Sequence, residues 1–311
     1  MSNSESERRI VSGMRPTGKL NLGHLRGVLK HWVQLQHEYD CFFFVADFHA
    51  LTTNYEDSRN IEQYSFETVV DWLAAGVNPG SCTIFVQSKV PEHAELHFLL
   101  SMITPLSWLE RVPSYTDQQS KHDDGDQKTY GLLGYPLLQA ADILIYRAGK
   151  ALVGPDQLVH IELTAEIARH FNGIYGLEEG FEEQAILAIK LMGRKAGRLY
   201  RELRKSYLEQ GDDEALLKAR ALLEEQQNLS IGDQERLYGY LEGDGRIILP
   251  EPEPILIEPC EVELGEIAER SKQFEENPDL VQSIIQEGSK KARLVARETL
   301  EEVKEAIGMS R

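Results

Sequence analysis

The chain has 311 residues, 41% hydrophobic and 27% charged, enough for one or two domains with a substantial core. No apolar run approaches the roughly 18 residues that a membrane helix needs. Met1 to Arg9 lacks the apolar stretch of a secretory signal, and Cys41, Cys82 and Cys260 are too scattered for a disulfide framework or a zinc cluster. These features predict a cytoplasmic protein with no membrane partner. The net charge of −18 argues against a general nucleic-acid binder. However, 12 acids against 3 bases between Leu241 and Leu280 account for half of it, so the remaining surface is free to hold a basic face.

The first half alternates strand and helix. Arg9 to Met14 reads as a strand, Leu25 to His37 as an amphipathic helix, and Cys41 to Ala46 as a strand buried on both faces. A helix through Trp72 and Leu73 should stop at Gly76, and Thr83 to Gln87 is the next buried strand. Alternation of this kind predicts right-handed crossovers and a doubly wound parallel sheet. Val90 to Ala148 reads as helices and loops, with a polar stretch from Asp117 to Lys128. Ala151 to Gly154 is a short strand, followed by a helix through Leu163 and Ile167 that should stop at Asn172 and Gly173.

Leu177 to Gln227 reads as a long, charged, largely solvent-facing helical segment. Arg246 to Leu249 reads as a strand, and proline-dense Pro250 to Pro259 as a linker. The chain closes on a helix with Ala292, Val295, Ala296, Leu300, Val303 and Ile307 on one face.

Gly13 to Leu20, GMRPTGKL, nearly matches the phosphate loop G-x-x-x-x-G-K-[ST]. Leu20 has no hydroxyl to hold Mg²⁺, which leaves a P-loop nucleotide-hydrolysing enzyme as an alternative only. The next residues fit better. Gly23 leaves room for a flat ring or a phosphate to approach the backbone. His24 and the helix N-terminus offer donors to a phosphate.

PTGKLNLGHLRG, Pro16 to Gly27, resembles the HIGH signature of class I aminoacyl-tRNA synthetases, and the flanking SGMRPTG looks most like the tryptophanyl branch. Asn21 stands where that signature has its first histidine. VADFHALTT (Val45 to Thr53), TIFVQSKVPEHAEL (Thr83 to Leu96), YPLLQAADILIY (Tyr135 to Tyr146), LVGPDQLVHIEL (Leu152 to Leu163), ARHFNGIYG (Ala168 to Gly176) and EGSKKARLVARETLEEVKEAIG (Glu287 to Gly308) resemble the same branch, in family order.

The resemblance implies an α/β fold: a Rossmann-like doubly wound parallel sheet forming a catalytic domain over 1–176, with a connective insert at about 90–148. A helical insertion over 177–240 follows, then a return strand and linker over 241–259. A C-terminal α-helical domain on the tRNA-anticodon side spans 260–311. The implied reaction is activation of L-tryptophan with ATP, Mg²⁺ assisting at the pyrophosphate, then transfer to tRNA(Trp) by a homodimer.

Residue by residue, the resemblance makes His24 a catalytic phosphate stabiliser, with Thr17 and Gly23 beside it. Arg15, Pro16, Thr17 and Asn21 would line the α-phosphate side, Arg15 replacing a glutamine. Gly154, Pro155 and Asp156 follow a strand, where nucleotides bind in open α/β sheets, and Asp156 would accept ribose hydroxyls. Asp142 would accept the indole N–H. Tyr135 and Gln139 would flank the same pocket, Gln139 standing where methionine is common. Val11, Gly13 and Val153 would form apolar walls, Gln157 would reach the polar end of the amino acid, and His49 matches a pocket histidine. Lys290, Lys291, Arg293 and Arg297 form a basic cluster suited to tRNA phosphates. His93 and His97, four apart, read as a solvated helix end.

The second family signature, K-M-S-K-S, is not in the chain. Its place falls between roughly Pro254 and Glu258. Three readings stay open: a segment missing from this sequence, a deletion in a non-catalytic tryptophan-binding paralogue, or substitution by another lysine.

Overall fold

The computed structural model describes residues 8–16, 18, 28–56, 58–112, 129–177, 180–210, 212–242, 245–257 and 265–309. The contacts divide the chain into two compact units, residues 8–167 with 252–300, and residues 168–251 with the chain end from 301.

The first unit is built on five parallel strands: β1 (Arg9–Met14), β2 (Asp40–Val45), β3 (Thr83–Val86), β4 (Lys150–Val153) and β5 (Glu253–Leu256). Their order is β3-β2-β1-β4-β5. Register is set by pairs such as Ile10 with Cys41, Phe43 with Ile84, and Leu152 with Ile255. Strands β1 to β4 are largely buried on both faces, with Ile10, Phe43 and Ile84 almost fully buried, whereas β5 is largely exposed.

Helices α1 (Lys30–Leu35), α2 (Asp47–Asn54) and α3 (Ile61–Ala75) connect the first three strands. Trp32 of α1 stacks on Phe43 at 4.2 Å and meets Trp72 of α3 edge-on at 4.7 Å. Gly76 ends α3 as expected, in the left-handed conformation at φ 107°.

Between β3 and β4 lie α4 (Glu92–Ser101), α5 (Leu106–Glu110), α6 (Tyr130–Leu133) and α7 (Tyr135–Leu144). The polar stretch Asp117 to Lys128 lies outside the described residues. After β4 comes α8 (Leu158–Tyr175).

The second unit carries α9 (Phe181–Leu191), α10 (Gly193–Gln210), α11 (Asp213–Glu224) and α12 (Ile231–Glu242). The single solvent-facing helical segment expected over Leu177 to Gln227 is therefore three helices with a core of their own. Ala185, Ala188, Ile189, Tyr200, Ala219 and Leu223 pack with Leu237, Tyr238 and Leu241. A left-handed Gly193, φ 82°, separates α9 from α10, and the Asp212 carboxylate caps α11 through Ala215 N at 3.1 Å.

Three further expectations are corrected. Helix α8 passes through Asn172 and Gly173 to Tyr175. Asn172 latches the later chain instead: its Oδ1 accepts from Ile248 N and Leu249 N at 3.0 Å, and its Nδ2 donates to Leu249 O at 2.8 Å. Arg246 to Leu249 is not a strand: Asn172 holds its second half, and Arg246 N donates to Gly176 O at 2.8 Å. The strand falls in the proline-dense stretch, as edge strand β5.

Helices α13 (Gly265–Glu275) and α14 (Pro278–Ala306) complete the described elements. Residues 265–300 group with the sheet. Val281 and Ile285 of α14 enter its core, and Gly288 lets the helix press on β3. A Cβ at Gly288 would lie 1.7 Å from Ile84 O.

Candidate active site

Strand order reverses between β1 and β4, so a crevice opens beyond their carboxyl ends. A cavity of about 340 Å³ lies there. Val11 and Gly13 from β1 and Val153 from β4 form its floor, and Tyr135, Gln139 and Asp142 of α7 form a wall. Spacings of four and three residues along one helix put those three side chains on a single face. His49, Arg15, Gly154, Asp156 and Gln157 complete the lining among the expected residues. Gly13 is bare backbone because a Cβ would lie 2.4 Å from the Phe44 ring. Pro16 is buried beside Arg15, and Pro155 opens the 3₁₀ turn Pro155–Gln157 after β4. Thr17, Asn21, Gly23 and His24 lie outside the described residues.

Asp142 is 1% exposed. A buried carboxylate needs donors, and three side chains supply them. His93 Nδ1 reaches Oδ1 at 2.6 Å, His49 Nε2 reaches Oδ2 at 2.8 Å, and Gln87 Nε2 spans both oxygens at 2.7 and 2.8 Å. Burial raises the Asp142 pKa, but donation from His49 and His93 outweighs it and holds the group down at about 2. His93 Nδ1 faces the carboxylate, and its Nε2 shares a hydrogen bond of 2.7 Å with the Tyr146 hydroxyl. His93 is fully buried among Phe44, Phe85 and Tyr146. The solvated helix end expected of His93 and His97 is therefore wrong. His93 belongs to the site network, and burial lowers the pKa of His97.

The far wall is tied in the same way. Gln157 donates from Nε2 to Asp156 at 2.8 Å and accepts on Oε1 from His160 Nδ1 at 2.6 Å. Burial pulls His160 down to about 4, so it is neutral at pH 7. Two polar atoms in the lining are buried and without a hydrogen-bond partner among the described residues: His49 Nδ1 and Gln139 Oε1. Gln139 Oε1 is an acceptor.

Gln87, His93 and His160 were missed by sequence reasoning. Gln87 and His93 stand 55 and 49 residues from Asp142, and nothing local marks them. His160 could have been found: it is three residues after Gln157, one helical turn away. The basic cluster also changes. Arg293 and Arg297 both donate through Nε to Glu92 Oε1, at 2.8 and 2.9 Å, and the cluster lies mid-helix in α14. Among the described residues no group of three or more His, Cys, Asp or Glu could hold a metal ion, and no helix is long and apolar enough to cross a membrane.

A parallel sheet in this order, with a cavity of apolar walls and a few polar side chains at its switch point, defines a doubly wound α/β protein. Residues 3–199 match the family model of class I tRNA synthetases (W and Y). A tryptophan–tRNA ligase of Ralstonia nicotianae is 62% identical over 250 residues, which are 80% of this chain and 62% of that one. The chain thus matches less than two thirds of that relative's length. A tryptophan–tRNA ligase of Thermotoga maritima is 42% identical, covering 97% of this chain and 99% of that one. The crystal structure of the Campylobacter jejuni tryptophanyl-tRNA synthetase complexed with ADP and tryptophan shares the fold. Its TM-score is 0.64 at 23% identity, over 96% of this chain and 99% of that one. The chain belongs to the tryptophan–tRNA ligase branch of the class I tRNA synthetases.

The Thermotoga alignment runs over 328 positions, more than the 311 residues present here. That relative therefore has positions with no counterpart in this chain.

Proposed function

We propose that the chain activates L-tryptophan with ATP and transfers it to tRNA(Trp). The observation that carries this reading is the convergence of Asp142, Tyr135, Gln139 and His49 with Arg15, Gly154 and Asp156 on one cavity at the switch point. Tryptophan would lie against α7, its indole N–H directed at Asp142. The indole would join the three side chains already donating to that carboxylate. The nucleotide would lie across Gly154, Pro155 and Asp156, its α-phosphate toward Arg15, Pro16, Thr17, Asn21, Gly23 and His24. In-line attack of the tryptophan carboxylate on the α-phosphate forms the adenylate and releases pyrophosphate. The protein's part is positioning and charge stabilisation. Mg²⁺ would arrive on the nucleotide.

The proposal includes the cytoplasm as location and a homodimer through about 90–148. Exposed Phe98, Met102, Leu106 and Tyr130, 59 to 63% accessible, support an apolar contact there. Light scattering should give twice the chain mass.

Tryptophan-dependent ATP–pyrophosphate exchange tests the activity. A second reading, tryptophan binding without activation, is favoured by the missing K-M-S-K-S signature. It predicts binding of tryptophan with no exchange. The family assignment displaces the P-loop alternative, which would hydrolyse nucleotide irrespective of tryptophan.

A further inference from the structure

Helix α10 carries six bases, Arg194, Lys195, Arg198, Arg201, Arg204 and Lys205, against two acids, Glu202 and Glu209, in a chain of net charge −18. Four of the bases, Arg194, Arg198, Arg201 and Lys205, recur at intervals of four, three and four. They form one stripe about 16 Å long at 1.5 Å per residue, and all four are exposed.

The opposite face is already used. Tyr200 is fully buried and donates its hydroxyl to Leu237 O at 2.5 Å, and Ala196 and Leu203 pack against the same core. A basic amphipathic helix that anchors in a membrane inserts its apolar face. Here Ala196, Tyr200 and Leu203 are taken up by the unit's own helices, which leaves a stripe dominated by charge and bordered by exposed Leu199 and Leu208.

Its charges are available. Arg198 pairs with Glu202 at 2.9 Å and Lys205 with Glu209 at 3.9 Å, with all four side chains at least 60% accessible. Exposed pairs of this kind contribute little and exchange readily for a stronger anion. Arg194, Lys195 and Arg201 have no ion pair among the described residues. Two of the four bases on α14, by contrast, share the Glu92 carboxylate.

We propose that the α10 stripe is a contact surface for the phosphate backbone of an RNA, the tRNA substrate. Naming tRNA as the occupant rests on the proposed charging reaction; the charge complementarity does not.

The test is binding of a tRNA(Trp) transcript to the full chain over a salt series. The variant R194Q/R198Q/R201Q/K205Q keeps good helix formers on an exposed face, and its thermal melt should match the parent. Its affinity at low salt should fall by about 30-fold or more, and its slope of log affinity against log salt should flatten by about three. The variant R194K/R198K/R201K should retain the parent slope. K290Q/K291Q should cost less than the quadruple change. Unchanged affinity and slope in the quadruple variant would overturn the proposal. So would stronger binding of the parent to phosphatidylserine-containing vesicles than to tRNA, lost in the same variant, which would make the surface a membrane contact. If the parent shows no pyrophosphate exchange, the charging reaction fails, while the salt slope still decides whether α10 binds RNA.

Discussion

The pocket and helix α10 hold charge in opposite ways. In the pocket a single carboxylate, Asp142, is shielded from water and held by His49, Gln87 and His93. On α10 a row of cations stands in solvent with few partners. Buried charge survives only when every donor and acceptor is matched. Exposed charge needs no match and so is free for a ligand. The same side-chain chemistry therefore fixes geometry in one region and supplies an attractive field in the other.

The sharpest way to break this contrast is to remove Asp142. Asp142→Ala would orphan three buried donors and should cost at least about 3 kcal/mol of stability, read by chemical denaturation. It should also weaken tryptophan binding far more than ATP binding, and unchanged tryptophan affinity would remove Asp142 from the site. His93→Ala comes next, at roughly 2–4 kcal/mol, since it opens a void among Phe44, Phe85 and Tyr146 and strands one carboxylate oxygen.

Acid should act on the same network. The folded Asp142 pKa of about 2 lies below its ordinary 3.8. Its stabilising contribution is complete above 3.8 and disappears as pH falls toward 2. His160 acts earlier. It stays neutral down to about 4 while its unfolded counterpart protonates near 6.5, so stability should decline as pH drops through that window. In thermal melts against pH, His160→Gln should flatten the decline between 6.5 and 4 and leave the lower step in place. Gln139→Met should change tryptophan KM by less than about tenfold, because the unpartnered Oε1 is one neutral acceptor. Smallest of all, Arg201→Gln alone should move stability by less than about 0.5 kcal/mol. A large loss there would show that the stripe is structural.

Much of the fold was legible. Continuous apolar runs announced β1, β2 and β3, and Gly76 announced the end of α3. Strand β5 was not, because Pro254 argues against a strand. It is tolerated at the sheet edge, where Glu253 N and Ile257 N donate to β4 and its flank, at Gly149 O and Val153 O. Pro254 alternates with these donors and needs no N–H on that side. Along the insertion the charge pattern was readable, but its division into α9, α10 and α11 was not, because helical periodicity alone does not say which faces find partners.

The site divides similarly. Asp142, Tyr135 and Gln139 share one helix face and were readable together. Gln87 and His93 reach Asp142 only through tertiary packing. Arg293 and Arg297 looked like free phosphate ligands because Glu92 lies some two hundred residues away in sequence.

The central claim is that the cavity between β1 and β4 activates tryptophan. Tryptophan-dependent exchange of labelled pyrophosphate into ATP, measured on the intact 35.3 kDa chain, tests it most directly. The account predicts exchange that requires tryptophan, falls sharply in His24→Ala and is lost in Asp142→Ala. Tryptophan binding with no exchange above background would contradict it and leave a pocket that recognises the amino acid without activating it.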